Sequence, residues 1–238
     1  MNTQTGLQNR LLAALPEEDY QRLASHFERV SLSRGDVLHE IGKPIEYVYF
    51  LHQGAVSLVL MLEDGSMAEV GLTGREGMVG LSVTWGDLPP NNLAQVQLPG
   101  DAFRLKAALL KGEFNRGGAL QSLLLRYTKG LFIQVSQSAI CNSRHMIEER
   151  LARWLLMAQD HAQSSEFQLT QEFISQMLAV RRAGVTVAAG NLQQAGLIRY
   201  SRGKINVLDC EGLAAASCEC YRVVKTEFQR LFAGGEAD

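Results

Sequence analysis

The chain has 238 residues, 46% hydrophobic and 20% charged, with a formal net charge of −2, the profile of an ordinary globular protein of one or two domains. No stretch reaches 18 consecutive apolar residues, so no membrane span is expected, and MNTQTGLQNR has no apolar signal-peptide core, so the expected location is cytoplasmic. Four cysteines, Cys141, Cys210, Cys218 and Cys220, are too few and too unevenly placed for a disulfide framework.

Residues 7–29 read as helix with a break. Leu7, Leu11, Leu12 and Leu15 form an apolar stripe. Pro16 restarts the helix with Glu17, Glu18 and Asp19 in its first turn, where the helix dipole favours them. Residues 30–105 change character. Val30-Ser31-Leu32, Val37-Leu38, Tyr47 to Leu51, Ala55 to Met61 and Met67 to Leu72 are β-prone, and turns at Gly35, Gln53-Gly54 and Glu63 to Ser66 separate them. Short strands at this spacing predict an all-β sandwich or barrel. Thr73-Gly74-Arg75-Glu76-Gly77 reads as an exposed turn.

Residues 113–162 form the longest helical tract. Leu120, Leu124, Tyr127, Leu131 and Val135 recur at spacings close to a heptad seam, and Leu123, Phe132 and Ile133 add a second apolar surface. A break is expected near Asn142-Ser143. Trp154 reads as core and Gln163 to Glu166 as a loop.

The segment LTQEFISQMLAVRRAGVTVAAGNLQQAGL, Leu169 to Leu197, reads as two short helices across a tight turn. Thr170 caps the first, with Glu172 in its first turn. Val185, Ala188, Ala189 and Leu192 give the second a buried face. Ala183, Thr186, Val187 and Gly190, with Arg182 beside them, lie opposite. Gly196 stops it. Ile198 to Leu208 then places two β-prone runs around Ser201-Arg202-Gly203, a hairpin signal. Between Glu172 and Asp209 there is no acidic residue, against five cations: Arg181, Arg182, Arg199, Arg202 and Lys204. A local excess of that size in a weakly acidic chain is a patch suited to phosphate. A further helix is expected from Gly212 to about Leu231, with Tyr221, Val224, Phe228 and Leu231 as its apolar stripe, and then a disordered tail, 234–238.

From Thr170 to Ile198 the segment resembles, without a gap, the helix-turn-helix of the Crp/Fnr transcription regulators: Thr170, Arg182, Val185, Leu192 and Gly196-Leu197-Ile198 stand at the family's pattern positions. Glu148 to Leu156 resembles the first helix of that domain and YVYFLHQGAVSLVL the central hairpin of a cyclic-nucleotide-binding roll. The resemblance implies an α+β fold. Its parts are an N-terminal β-roll or jelly-roll sensor (1–112), a long dimerisation helix (113–143), a C-terminal winged helix-turn-helix (144–210), and a helix with tail (211–238). It also implies a homodimer, paired through Leu120, Leu124, Tyr127, Leu131 and Val135, on a palindromic double-stranded operator. The DNA-facing set is Thr170, Gln171, Arg181, Arg182, Ala183, Thr186, Val187, Arg202 and Lys204. Members that read a G-rich half-site use Arg, Glu and Arg on this helix. Here those positions hold Arg182, Ala183 and Val187, so the expected half-site has one G, read by Arg182, with neighbouring T steps.

Cyclic-nucleotide-binding members set a Gly-Glu and a downstream Arg around the ligand. The matching cassette here is Gly80, Leu81 and Ser82, then Asn92 and Leu93. Leu81 replaces the carboxylate and no cation faces a phosphate, which points to an effector other than cyclic AMP, of unknown identity. No cofactor is evident and no metal site is expected. There is no cysteine cluster before Cys141, Cys218-x-Cys220 alone does not complete a four-ligand set, and the five histidines show no ligand spacing and read as surface or structural. No nucleophile with a base, phosphate-cradling loop or paired ligands suggests an enzyme. RNA polymerase is a partner only for an activator, and no residues mark its surface. The alternative is a ligand-sensing β-roll that regulates a protein partner without DNA binding; the five cations argue against it.

Overall fold

The computed structural model describes residues 8–233. Leu7 of the first apolar stripe and the tail expected at 234–238 lie outside the described residues. Two short helices, α1 (Arg10–Ala13) and α2 (Glu17–Ala24), lead into an antiparallel sheet. Its strands are β1 (Glu28–Leu32), β2 (Val37–His39), β3 (Tyr47–Met61), β4 (Met67–Thr73), β5 (Met78–Val79) and β6 (Leu93–Lys106). The order is β1-β6-β3-β4, with β2 also on β6 and β5 also on β3.

Gln53-Gly54, expected to be a turn between two strands, is a bend inside β3. Gly54 has φ +91°, and a Cβ there would lie 2.6 Å from the carbonyl oxygen of Leu98. The register with β6 shifts around Leu51, Gln53 and Ala55, yet pairing continues from Tyr47↔Lys106 to Val59↔Leu93. Bulges of this kind let a long strand pair curl into a roll. β6 is the partner of β3 from Tyr47 to Val59. The sequence reading missed it because Pro99-Gly100 at its centre looks like a chain break.

Beyond the sheet run α3 (Ala107–Asn115), α4 (Ala119–Arg144) and α5 (Ile147–Ala162). The continuous helix expected from 113 breaks at Gly117-Gly118, whose φ values of +80° and +89° end α3. The second break falls at His145-Met146, where the N–H of Met146 donates to the Glu149 carboxylate at 2.8 Å.

The expected dimer seam is corrected by the packing of α4. Leu120, Leu124, Tyr127 and Leu131 are buried within the monomer, against the sheet and the last helix, and Val135 is half-buried. The Tyr127 hydroxyl donates to the Met78 carbonyl at 3.2 Å. Gln134 binds both backbone groups of Leu72, at 2.9 and 3.0 Å. The apolar residues that α4 leaves in solvent are Leu125, Phe132 and Ile140, 54%, 71% and 47% exposed.

The turn 73–77 is buried, where an exposed one was expected. Glu76 forms an ion pair with His161 of α5 at 3.0 Å, and a Cβ at Gly74 or Gly77 would lie 2.2 Å from the His161 ring or the Tyr127 hydroxyl. These glycines let α4 and α5 seat on the roll. Next to them Trp154 donates its indole N–H to Glu69 of β4 at 2.9 Å, and Ser57 bonds the other Glu69 oxygen. Burial pushes the Glu69 carboxyl up to about 7.

The C-terminal unit comprises β7 (Glu166–Gln168), α6 (Gln171–Met177), α7 (Arg182–Gln194), β8 (Ile198–Ser201), β9 (Lys204–Val207), α8 (Cys210–Ala216) and α9 (Cys220–Ala233). α5 supplies its core with Leu151, Trp154 and Leu155. The single helix expected from Gly212 is two, because Ser217 is extended (ψ 159°) and the chain turns at Cys218. α9 returns along α4, burying Val224, Phe228 and Leu231. That turn buries Cys218 and Cys220 next to Cys141 of α4 and His145 at its C-cap. The missing partners lie about 75 residues upstream, beyond the reach of local spacing.

Candidate nucleic-acid interface

Local chemistry sets α6 against α7. Thr170 caps α6, its Oγ1 accepting the Phe173 N–H at 3.1 Å. After Met177 the chain reverses through Ala179, at φ +50°, a left-handed conformation costing a non-glycine residue about 1–2 kcal/mol. The Val180 N–H donates to the Ser175 carbonyl at 2.9 Å and holds the turn. Arg181 is the N-cap of α7. The inner face, Val185, Ala188, Ala189 and Leu192, is buried as expected. A Cβ at Gly184 would lie 2.7 Å from Ile147 of α5, so this glycine allows the two helices to meet.

The outer face carries Arg182, Ala183, Thr186 and Val187, all exposed. Val187 is 63% exposed, an apolar side chain in solvent with no part in the core. Gln171 braces this face: its Oε1 accepts from the Thr186 hydroxyl at 3.0 Å and from Arg182 Nε at 3.5 Å. The wing is a two-residue hairpin with Arg202 at φ +50° and Gly203 at φ +78°, the pattern of a type I′ turn. β7, which begins where a loop was expected to end, pairs with β9 and makes the wing three-stranded.

Of the nine residues expected to face DNA, Thr170, Gln171, Arg182 and Arg202 line one open groove between α6, α7 and the wing tip. Ala183, Thr186 and Val187 continue along α7. Arg181 faces elsewhere, lining a separate groove with Leu60, Leu62 and Met67 of the β3–β4 hairpin. Lys204 forms an ion pair with Glu166 at 2.6 Å, which lowers its value as a phosphate contact. The sequence reading missed Tyr200 and Ser201 in the groove. The Tyr200 hydroxyl donates to the Leu169 carbonyl at 3.1 Å and its N–H to Gln193 at 2.7 Å, so it ties the wing to both helices. Burial raises its phenol pKa, with Arg182 opposing. A lone β-strand tyrosine carries no sequence signal for that role.

The five cassette residues do not gather around a cavity. Leu81 is buried in the core, Gly80 (φ +92°) packs on Val48 and Ile45, and Asn92 bonds to His39. Burial takes that histidine down to about 4. Ser82 alone of the five lines a described cavity, where Lys111 is already paired with Asp87.

The Crp-like helix-turn-helix domain family matches residues 149–216. The fold is similar to that of FixK2 from Bradyrhizobium japonicum, at 18% identity and TM-score 0.68, covering 81% of this chain and 98% of that one. A CRP/FNR-family transcriptional regulator from Thermus thermophilus matches at 21% identity and TM-score 0.64, covering 80% and 98%. The c-di-GMP-responsive global regulator CLP of Xanthomonas campestris matches at 14% and TM-score 0.60, covering 81% and 99%. No curated protein sequence matches the chain. Among the described residues no helix is long and apolar enough to cross a membrane.

Proposed function

We propose that this chain is a DNA-binding transcription regulator of the Crp/Fnr type, a reading supported by the match of its C-terminal unit to the Crp-like helix-turn-helix domain and by its fold. α7 enters the major groove, and Arg202 and the backbone of the wing tip hold the adjacent phosphates. The observation that carries this reading is the groove joining Thr170, Gln171, Arg182 and Arg202, beside an outer α7 face that contributes nothing to the core. Arg182 is placed to take one guanine bidentately, while Ala183, Thr186 and Val187 offer methyl groups to thymine. Gln171 acts through the bonds that hold Arg182 and Thr186.

Two copies pair through Leu125, Phe132 and Ile140 of α4, spaced seven and eight residues apart on one exposed face. A two-fold dimer reads a palindrome with half-sites about 34 Å apart. The roll takes no cyclic nucleotide in the cassette, since Leu81 occupies core and Lys111 is already paired.

Selection of random duplexes by the purified protein at moderate salt tests this. The expected result is a palindromic consensus unchanged by added cyclic AMP. Binding without a consensus at every salt concentration would overturn the base-reading role of α7.

A further inference from the structure

One buried cluster takes no part in the DNA-facing surface. Cys141 in the last turn of α4, His145 at its C-cap, Cys218 in the α8–α9 turn and Cys220 at the start of α9 each bring a ligand atom within 4.8 Å of all the others. Cys141 Sγ lies 3.5 Å from Cys218 Sγ, and Cys220 Sγ lies 3.6 Å from His145 Nδ1. The cysteines are free thiols that pack as a small core of their own.

We propose that these four side chains bind a single tetrahedral divalent metal ion of the zinc class, pinning the end of α4 to the α8–α9 turn. The donor set is closed: three thiolates and one imidazole complete the coordination of a structural zinc, with no position left for water. The spacing fits as well. Metal–sulfur bonds of about 2.3 Å at tetrahedral angles put neighbouring ligands about 3.7 Å apart, against the 3.5 and 3.6 Å found. An iron–sulfur cluster spreads its cysteines over several irons and holds them farther apart.

The surroundings supply two independent observations. His145 Nε2 faces the Glu219 carboxylate at 3.3 Å. A carboxylate there keeps the proton on Nε2 and turns the Nδ1 lone pair toward the thiols, the outer arrangement that orients metal-binding histidines. In addition, Arg150 and Arg153 of α5 are buried beside these thiols; Arg153 also faces the Glu69 carboxylate, whereas Arg150 meets no carboxylate among the described residues. The Nε of each has no hydrogen-bond partner. A buried guanidinium without counter-charge, as at Arg150, is costly. Three thiolates around a divalent ion carry a net negative charge and supply it.

The site closes a joint. α4 ends at Arg144 and α5 begins at Ile147, so two ligands sit where the long helix hands over to the DNA-binding unit and two come from beyond the wing. The full-length protein is washed with a mild chelator and its metal content measured by mass spectrometry. About one zinc per chain is expected. Cobalt substitution should give the intense visible bands of a tetrahedral ion with thiolate-to-metal charge transfer. Cys218→Ser and Cys220→Ser should lose the bands, and Cys210→Ser, at an exposed thiol outside the cluster, should keep them. Should the ligand variants fail to fold, Glu219→Gln keeps all four ligands and should weaken metal binding by about 10–100-fold. A protein that binds neither zinc nor cobalt, one that carries iron with acid-labile sulfide, or one in which Cys141 and Cys218 are joined as a disulfide would overturn the assignment.

Discussion

The DNA-facing surface and the cysteine–histidine joint are opposites. The first is exposed, cationic and built from one continuous run, Thr170 to Lys204. The second is buried, rich in thiols and assembled from residues about 75 positions apart. The first needs α6, α7 and the wing to hold their shape by short-range bonds, of which the Thr170 cap and the Gln171 brace are examples. The second exists only when α9 has folded back along α4. A local surface therefore survives local perturbation, whereas the joint reports on the whole tertiary fold.

The sharpest way to break this contrast is to remove the metal. A ligand bound only by the native state stabilises it by about 4 kcal/mol at a thousandfold excess over its Kd. At about 2–4 °C per kcal/mol for a chain of this size, stripping the ion should lower Tm by on the order of 10 °C in calorimetry. Cys210→Ser should leave Tm unchanged. Equal melting with and without metal would leave the joint without the structural role argued for it.

The two faces of α4 give the next largest difference. Leu124 is fully buried, and Leu124→Ala should destabilise the protein by about 2–5 kcal/mol in urea titration. Phe132→Glu lies in solvent on the monomer and should barely change that stability, yet should convert dimer to monomer in sedimentation. A monomeric wild type, or a Phe132→Glu protein that remains dimeric, would remove α4 as the pairing surface.

The same two faces show what a sequence can reveal. A seam near a heptad was legible in α4, but its period did not say which face the roll would claim. Leu120 to Leu131 went inward because Gly77 and Met78 bring the sheet against Tyr127. The helix-turn-helix was legible because its buried residues repeat within one helix and its cap is a neighbour. The turn 73–77 misled because glycine and charge mark solvent in most turns. Here Gly74 and Gly77 serve close approach, and Glu76 meets a histidine some 85 residues on. Cys141 and His145 are four apart on one helix end, half of a metal pattern whose other half, Cys218 and Cys220, only the fold could supply.

Within the DNA surface, Arg182→Ala should cost about 1–3 kcal/mol, roughly a 5–150-fold weaker Kd by anisotropy, with discrimination lost at one base pair of each half-site. Uniform weakening across all sites would make Arg182 a phosphate contact instead. Between roll and DNA-binding unit, Glu69 has a folded pKa of about 7, raised by burial. A raised carboxyl favours the fold below its unfolded value near 4.3, and that stability is lost as pH rises toward 7. Because Glu69 is only half-buried, the loss should be on the order of 1–2 kcal/mol. Glu69→Gln should therefore flatten the fall in Tm between pH 5 and pH 8. A wild type whose Tm rises across that window, with Glu69→Gln following it, would mean the carboxyl ionises at no cost to the fold.

The smallest effect separates two cations at the wing. Each phosphate neutralised contributes about 0.9 to the slope of log K against log salt. Arg202 stands at the turn with no acidic partner among the described residues, so Arg202→Ala should remove close to that amount. Lys204 already shares its charge with Glu166 at 2.6 Å and must give up that pair to reach DNA, so Lys204→Ala should change the slope by well under half as much. Glu166→Gln frees the lysine and should tighten binding slightly at low salt. Equal slopes for the two alanine variants would show that Lys204 leaves Glu166 without cost, and that the wing docks with β9 as closely engaged as its tip.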